Sequence, residues 1–245
     1  MNIVFLKESE IGALIAPNDR RREHIARILK KKTGDFIAAG CSDGTLGQAR
    51  IESLSQDGLV LSYQPSSQAP SLRPIRLLMG FPRPIQAGRI LKDLTSLGIA
   101  ELWFALSDLG EKSYAESTFF RNKEFENHLI EGAEQAGNPR LPEILSFWTM
   151  DRACDALDAR ELKAGAASPR FMFHPDPSLP RIVDLRDFDP PVTLAIGSER
   201  GWTKRELDLM DAHGFKACFL GDRILKTETA ALAAVSIVAS RLGYM

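Results

Sequence analysis

The alternation of apolar and polar positions changes twice along the chain. From Arg20 to Lys32 the apolar residues Ile25, Ile28 and Leu29 fall at i, i+3 and i+4, which predicts a short helix with one apolar stripe. After Gly34 the period shortens to two. FIAAG, a DGT turn, LGQARIESLS and GLVLSY predict a small antiparallel β unit. Tyr63 to Pro74, YQPSSQAPSLRP, is rich in Pro, Ser and Gln with little to bury, so it predicts a linker and a domain boundary near residue 72.

Beyond that boundary strands and helices alternate. IRLLMGF predicts a buried strand, and Pro84 opens a helix in which Ile85, Ile90, Leu91, Leu94 and Leu97 recur at roughly helical spacing. Gly98 closes it, and AELWFAL is the next strand. Asn122 to Ala136 predicts another helix, stopped by Asn138-Pro139 and Leu141-Pro142. VTLAIG, a helix from Thr203 to His213, KACFLG and a closing helix complete the series. Such alternation argues for an α/β domain with a largely parallel sheet and helices on both faces.

With 245 residues, 44% of them hydrophobic, the chain is long enough for one large or two modest globular domains. Ala230 to Ala239 falls far short of the ~20 apolar residues of a spanning helix, so no membrane partner is expected. MNIVFLKESE carries acids where a signal peptide has a basic start, which makes the cytoplasm the expected location. Cys41, Cys154 and Cys218 lack the paired spacing of a zinc site and predict reduced structural thiols, with no metal and no disulfide. The net charge of −1 hides one asymmetry: RRREHIARILKKK holds seven Lys or Arg against one Glu. A solvated helix face and a phosphate-binding surface fit that run comparably.

Two loops carry candidate chemistry. Gly197-Ser-Glu-Arg-Gly-Trp-Thr203 lies between strand VTLAI and a helix whose start is marked by the capping-box spacing of Thr203 and Glu206 and whose end is marked by Gly214. Open α/β sheets bind ligands at such positions, although an ordinary βα turn fits as well. Glu199 would repel a phosphate there, and this favours a cationic or hydroxyl-bearing ligand. The second loop, in LGDRILKTETAALAAVSIVAS, delays the helix after its strand. Thr227 or Thr229 is predicted to cap that helix, and Ile224 with Leu225 forms an apolar pair able to pack on a flat ring.

These segments resemble the RsmE family of SPOUT-class methyltransferases. GSERGWTKREL and LGDRILKTETA are similar to its GPEGG and LG-R-ILR-TETA loops. Glu131 to Glu143, EGAEQAGNPRLPE, resembles its EAAEQ-G-R-x-x-P segment, and Arg21 to His24 with Gly34-Asp35 resembles its RNA-binding entry. The similarity spans most of the chain. It implies an N-terminal PUA-like β-barrel domain over residues 1–72 and a SPOUT α/β trefoil-knot domain with a parallel sheet over 73–245. It further implies a homodimer through the knot, with 16S rRNA or the small ribosomal subunit as partner. The activity implied is S-adenosylmethionine-dependent methylation of N3 of a uridine in 16S rRNA, the family target being uracil 1498 near the decoding site.

The resemblance places the methyl donor against Leu78, Gly197, Ser198, Glu199, Gly201, Leu220, Gly221, Ile224, Leu225, Thr227, Thr229 and Ala230, and the RNA against Arg21, Arg22, His24, Arg27, Lys30, Gln135 and Asn138. Ser198 stands where the family has Pro, Arg200 where it has Gly, and Asn138 where Arg is common, with Arg140 two residues on. Uracil N3 carries a proton at neutral pH, so the reaction needs cations that stabilise the anion. Arg223 and Arg140 are the leading candidates with Arg200 beside them, and Glu199 is expected to position donor or substrate. A SPOUT enzyme acting on another RNA or on a ribose 2′-oxygen, and a non-enzymatic RNA-binding protein with a vestigial pocket, are the alternative readings.

Overall fold

The computed structural model describes residues 2–185 and 188–245. Its contacts divide the chain into two units, Met1–Ser71 with Ile130–Leu141, and Leu72–Leu129 with Pro142–Met245.

The first unit is a five-stranded sheet, with strands β1 Val4–Leu6, β2 Leu14–Ile15, β3 Phe36–Cys41, β4 Thr45–Leu54 and β5 Leu59–Gln68 in the order β1-β3-β4-β5-β2. β3, β4 and β5 form the antiparallel unit expected from the period of two, and β1 joins β3 in parallel. Leu6, Ile25, Ile51, Leu59 and Leu61 are fully buried in its core. The expected linker from Tyr63 is mostly strand: β5 continues to Gln68, paired against β4 as far as Thr45. A register shift at Leu46/Gly47 sets Gly47 opposite Pro65, and a side chain at Gly47 would collide with Gln64 O. Composition suggested a loop because Pro suits a strand only at such an irregularity.

The basic run forms a single turn of helix, α1 Arg20–Glu23, followed by a π-helical turn over His24–Ile28. Of its expected stripe only Ile25 is buried, and Ile28 is 68% exposed. Arg21 departs further from expectation. Its guanidinium donates to Phe5 O, to both carboxylate oxygens of Glu10 and to both of Asp19. All five donors are taken, so Arg21 is a structural residue and leaves the set expected to contact RNA. Burial alone would raise the Glu10 and Asp19 carboxyls, but the hydrogen bonds from Arg21 outweigh it and hold both below their ordinary values of 4.5 and 3.8.

Removing one partner of a buried ionic cluster leaves the others desolvated and uncompensated. Arg21→Gln is therefore expected to cost about 3–5 kcal/mol of stability in denaturant titration. A carboxyl whose pKa is lowered by folding contributes stability that is present above its unfolded pKa and lost as pH falls through the folded value. The wild-type protein should accordingly lose this contribution below pH 4.5 and 3.8, and Arg21→Gln should show a flatter acid limb over that range.

The second unit is a six-stranded, wholly parallel sheet of order β11-β9-β10-β6-β7-β8. The strands are β6 Arg73–Gly80, β7 Ile99–Ala105, β8 Glu143–Phe147, β9 Arg170–Phe173, β10 Val192–Ile196 and β11 Phe215–Cys218. The helices are α2 Pro84–Ser96, α3 Lys112–Ala115, α4 Thr118–Arg121, α5 Glu126–Ala136, α6 Met150–Ala164, α7 Lys204–Ala212 and α8 Thr227–Arg241. α5 runs from this unit into the segment grouped with the first. β10 is buried at every position, as a central parallel strand should be. Leu78, Trp103, Leu157, Met172, Ala195 and Phe215 form a core between strands and helices.

The helix expected over Asn122–Ala136 begins only at Glu126, because Lys123 adopts φ 56° and interrupts it, and it ends at Gly137 with φ 70° before the expected prolines. In α2, Ile90, Leu91 and Leu94 are buried as the spacing predicts, whereas Ile85 in the first turn is 76% exposed. Strands β8 and β9 and helix α6 had no counterpart in the sequence reading. Cys41, Cys154 and Cys218 are buried and unpaired, and burial pushes the Cys154 and Cys218 thiols up to about 12. Among the described residues no helix is long and apolar enough to cross a membrane.

Candidate active site

The chain builds β6, β7 and β8 outward on one side of the second sheet, then returns to build β9, β10 and β11 on the other. The segments leaving β9, β10 and β11 line one cavity of about 310 Å³ at the carboxyl ends of the strands, where open α/β sheets place their ligands.

The segment after β10 is a tight turn in which Gly201 N–H donates to Ser198 O at 2.9 Å, with Gly201 at φ 76°. A side chain at Gly80, the last residue of β6, would stand 2.8 Å from Ser198 N, so glycine there lets this turn pack on the sheet end. Trp202 Nε1 donates to Phe173 O at 2.9 Å and anchors the turn to β9. The capping box forms as its spacing predicts: Thr203 Oγ1 accepts from Glu206 N–H, and Glu206 Oε2 accepts from Thr203 N–H. Glu206 is fully buried, and its second oxygen accepts from Asp108 N–H, the segment after β7. Arg205 pairs with Asp108 and Asp151. Five polar residues, Thr203, Arg205, Glu206, Asp108 and Asp151, thus fix the end of the turn without a proline at position 198.

The segment after β11 is built differently. Phe219 N–H donates to Pro180 O, and Phe219 O accepts from Ile182 N–H. Among the described residues, the backbone of 220–225 then makes no hydrogen bond to other backbone. α8 starts at Thr227 with Lys226 as N-cap and no side-chain cap, so neither threonine caps it: Thr227 is the first helical residue and lines the cavity, and Thr229 is exposed outside it.

Gly197, Ser198, Glu199, Gly201, Leu220, Gly221, Ile224, Leu225, Thr227, Ala230 and Arg223 all line this cavity. Leu78 does not, being fully buried in β6 within the core. Phe173, His174, Pro175, Ile196 and Trp202, which the sequence does not mark as site residues, complete the lining together with Arg200. His174 Nδ1 is buried there with no hydrogen-bond partner among the described residues. The signal was an FMFHP run, apolar and then polar at a strand end.

The three arginines differ. Arg140 belongs to the first unit, where its guanidinium donates to Ala69 O and Gln68 Oε1. Arg200 pairs with Glu111 at 2.8 Å. Arg223 is 86% exposed, and its Nε stands 4.0 Å from Asp222, a separation too long for a hydrogen bond. Glu199 accepts from Arg83 N–H at 3.3 Å.

In the first unit, Arg22 donates to Ser55 O and Pro17 O, Arg27 pairs with Glu23 on the surface, and Lys30 is exposed with φ 51°. His24 Nε2 is buried without a hydrogen-bond partner among the described residues. Asn138 is held between Pro70 O and Arg140 N–H, and Gln135 is exposed. The neighbouring Glu134 is buried and accepts from Phe5 N–H and Arg20, which gives the EGAEQ segment a structural function in this unit.

Residues 69–239 match the family model for an RNA methyltransferase domain. The chain is similar to the ribosomal RNA small subunit methyltransferase E of Treponema pallidum, 35% identical over 97% of this chain and 90% of that protein. It is also similar to a Borreliella burgdorferi protein named ribosomal RNA small subunit methyltransferase E 1, 30% identical over 99% of both. Among solved structures it resembles the Neisseria gonorrhoeae ribosomal RNA small subunit methyltransferase E bound to S-adenosylmethionine, with TM-score 0.75, 20% identity and 97% of each chain covered. A Legionella pneumophila protein in complex with the same cofactor gives TM-score 0.78 at 22% identity over 98% of each chain. The fold, the order of the motifs and these relatives agree: the chain belongs to the ribosomal RNA small subunit methyltransferase E family, RsmE.

Proposed function

We propose that this protein transfers a methyl group from S-adenosylmethionine to N3 of a uridine in 16S rRNA, the family target at uracil 1498. The observation that carries the reading is the tract Leu220–Leu225. It lines an apolar cavity at the strand ends, its backbone makes no hydrogen bond to other backbone among the described residues, and it carries Arg223, 86% exposed, at its edge. Ile224 and Leu225 suit the faces of a flat adenine, and the open backbone groups suit its polar edge. Phe173, Trp202 and Ala230 extend the apolar wall.

The bound donor supplies a methyl group already activated on a sulfonium. The protein then has two tasks, holding the nucleophile in line and stabilising charge on the uracil as N3 loses its proton. Arg223, 86% exposed and beyond hydrogen-bond distance of Asp222, is the residue proposed to meet the developing charge, and Glu199 is proposed to orient donor or base. We further propose that Leu220–Thr229 forms the tucked tract of a trefoil knot. The laced contacts of Phe219 with Pro180 and Ile182, and of Arg241 in α8 with Val183 O, support this. Homodimerisation through this region and a cytoplasmic location belong to the same proposal.

Among the exposed cations of the basic run, Arg20 is held by Glu134, and Arg27, Lys30 and Lys32 are assigned to RNA affinity. Their joint replacement by Gln should weaken RNA binding and flatten its salt dependence by about 2 in log–log slope, since each phosphate contact contributes ~0.7–0.9. Unchanged affinity and slope in filter binding would remove the run from the interface. The activity is tested by incubating the protein with methyl-labelled S-adenosylmethionine and small ribosomal subunits from cells lacking the gene. Label should appear in 3-methyluridine, and label in a ribose-methylated nucleoside would overturn the N3 assignment.

A further inference from the structure

A second, smaller cavity of about 160 Å³ lies in the same unit, lined by Arg83, Gln86, Leu109, Glu111, Tyr114, Glu199 and Arg200. Glu199 and Arg200 line both cavities and so form the wall between them. We propose that this second cavity is the seat of the extruded target nucleobase and that it selects uracil, an assignment that rests on the donor reading of the larger cavity.

Charge balance comes first. Two arginines face two glutamates, with Arg200 paired to Glu111 at 2.8 Å and Glu199 accepting from Arg83 N–H. A lining neutral in sum but dense in hydrogen-bonding groups suits an uncharged polar ring better than a phosphate. Hydrogen-bonding capacity is the second argument. Gln86 Oε1 is buried with no partner among the described residues, and an orphaned buried polar atom calls for an explanation. Its carboxamide offers a donor at one end and an acceptor at the other, the two interchanged by a half-turn of the last torsion. A base edge meets that need.

The donors favour uracil over cytosine. A guanidinium has five N–H groups, and the bonds from Arg83 to Tyr114 Oη and from Arg200 to Glu111 use one on each. Uracil presents carbonyl oxygens on both sides of N3, whereas cytosine turns one of them into an amine that would face donors. Tyr114 and Leu109 supply ring and aliphatic surface for a base taken out of its stack. The Glu199–Arg200 wall sets the base beside the methyl donor, where the family's usual glycine in place of Arg200 would contribute no cation.

The test uses Gln86→Leu, similar in size without hydrogen bonds, and the isosteric Gln86→Glu, which adds a carboxylate beside the developing anion. Melting temperature, S-adenosylmethionine affinity by calorimetry, and single-turnover methylation of small-subunit rRNA are measured on each. The expected result is unchanged melting and donor affinity in both variants, a fall in kcat/KM of roughly tenfold to a hundredfold in Gln86→Leu, and at least as large a fall in Gln86→Glu. An rRNA with cytosine at the target should be refused by the wild-type protein. Wild-type kcat/KM in Gln86→Leu, or in a folded Gln86→Glu should the leucine variant not fold, would overturn the base seat and leave the donor reading standing. A wild-type protein that binds no S-adenosylmethionine or transfers no methyl to RNA would overturn both.

Discussion

Leu225→Asp should abolish useful binding of S-adenosylmethionine while leaving the fold intact. Leu225 is 36% exposed on the tract after β11 and lines the apolar part of the cavity, so in the free protein a carboxylate there remains hydrated at little cost. A bound adenine would strip that water without supplying a cation, and desolvating an unpaired charge is among the most unfavourable changes available to a binding site. A rise in the dissociation constant of about a hundredfold or more, ~2.7 kcal/mol, is expected. Thermal shift gives the readout. Donor at about 100 times the wild-type dissociation constant stabilises the wild-type protein by ~2.7 kcal/mol and the variant by a few tenths. Thr229→Val is the control: Thr229 is exposed outside the cavity, and its replacement should leave the shift unchanged. Equal stabilisation of Leu225→Asp and wild type would place the donor elsewhere.

Arg223→Lys should keep melting temperature and donor affinity but lose methyl transfer. The guanidinium is 86% exposed and its ion pair with Asp222 is long, at 4.0 Å, so it contributes little to the fold and its exchange for an ammonium disturbs little packing. If Arg223 meets charge spread over the uracil edge, a point charge cannot replace its planar fork. kcat and kcat/KM should then fall together by roughly tenfold to a thousandfold, the equivalent of ~1.4–4 kcal/mol of transition-state stabilisation. A wild-type single-turnover rate in Arg223→Lys would remove it from the reaction.

What could be read from the sequence was local. The capping box of Thr203 and Glu206, the glycine ends of α2 and α7, and the apolar runs of β6, β7 and β10 each declare themselves within a few residues, and the structure has them there. The two loops were recognised for the same reason, since glycines and a delayed helix are visible in one window. What escaped depends on distant partners. Arg21 looked like one more cation in a basic run, yet Glu10 and Asp19 close around it. Glu134 looked like part of a motif, and its carboxylate instead holds Arg20 and the β1 backbone.

Strand β5 was obscured by Pro65, which is tolerated only because β4 carries Gly47 opposite it. Helix α6 hides its inner face, Met150, Ala153, Cys154 and Leu157, within a sequence dense in Asp, Arg and Lys, although Thr149 caps it and Gly165 ends it at φ 69°. His174 and Trp202 join the site only because β9 lies between β10 and β11, an order that no stretch of sequence displays.

The central claim is methylation of uracil N3 in 16S rRNA, and nucleoside mass spectrometry of 16S rRNA from cells with and without the gene tests it most directly. The prediction is that 3-methyluridine is present in the parent, absent from the deletion strain, and restored by the wild-type gene but not by Leu225→Asp. Undiminished 3-methyluridine in the deletion strain, or the loss of a different modified nucleoside, would contradict it.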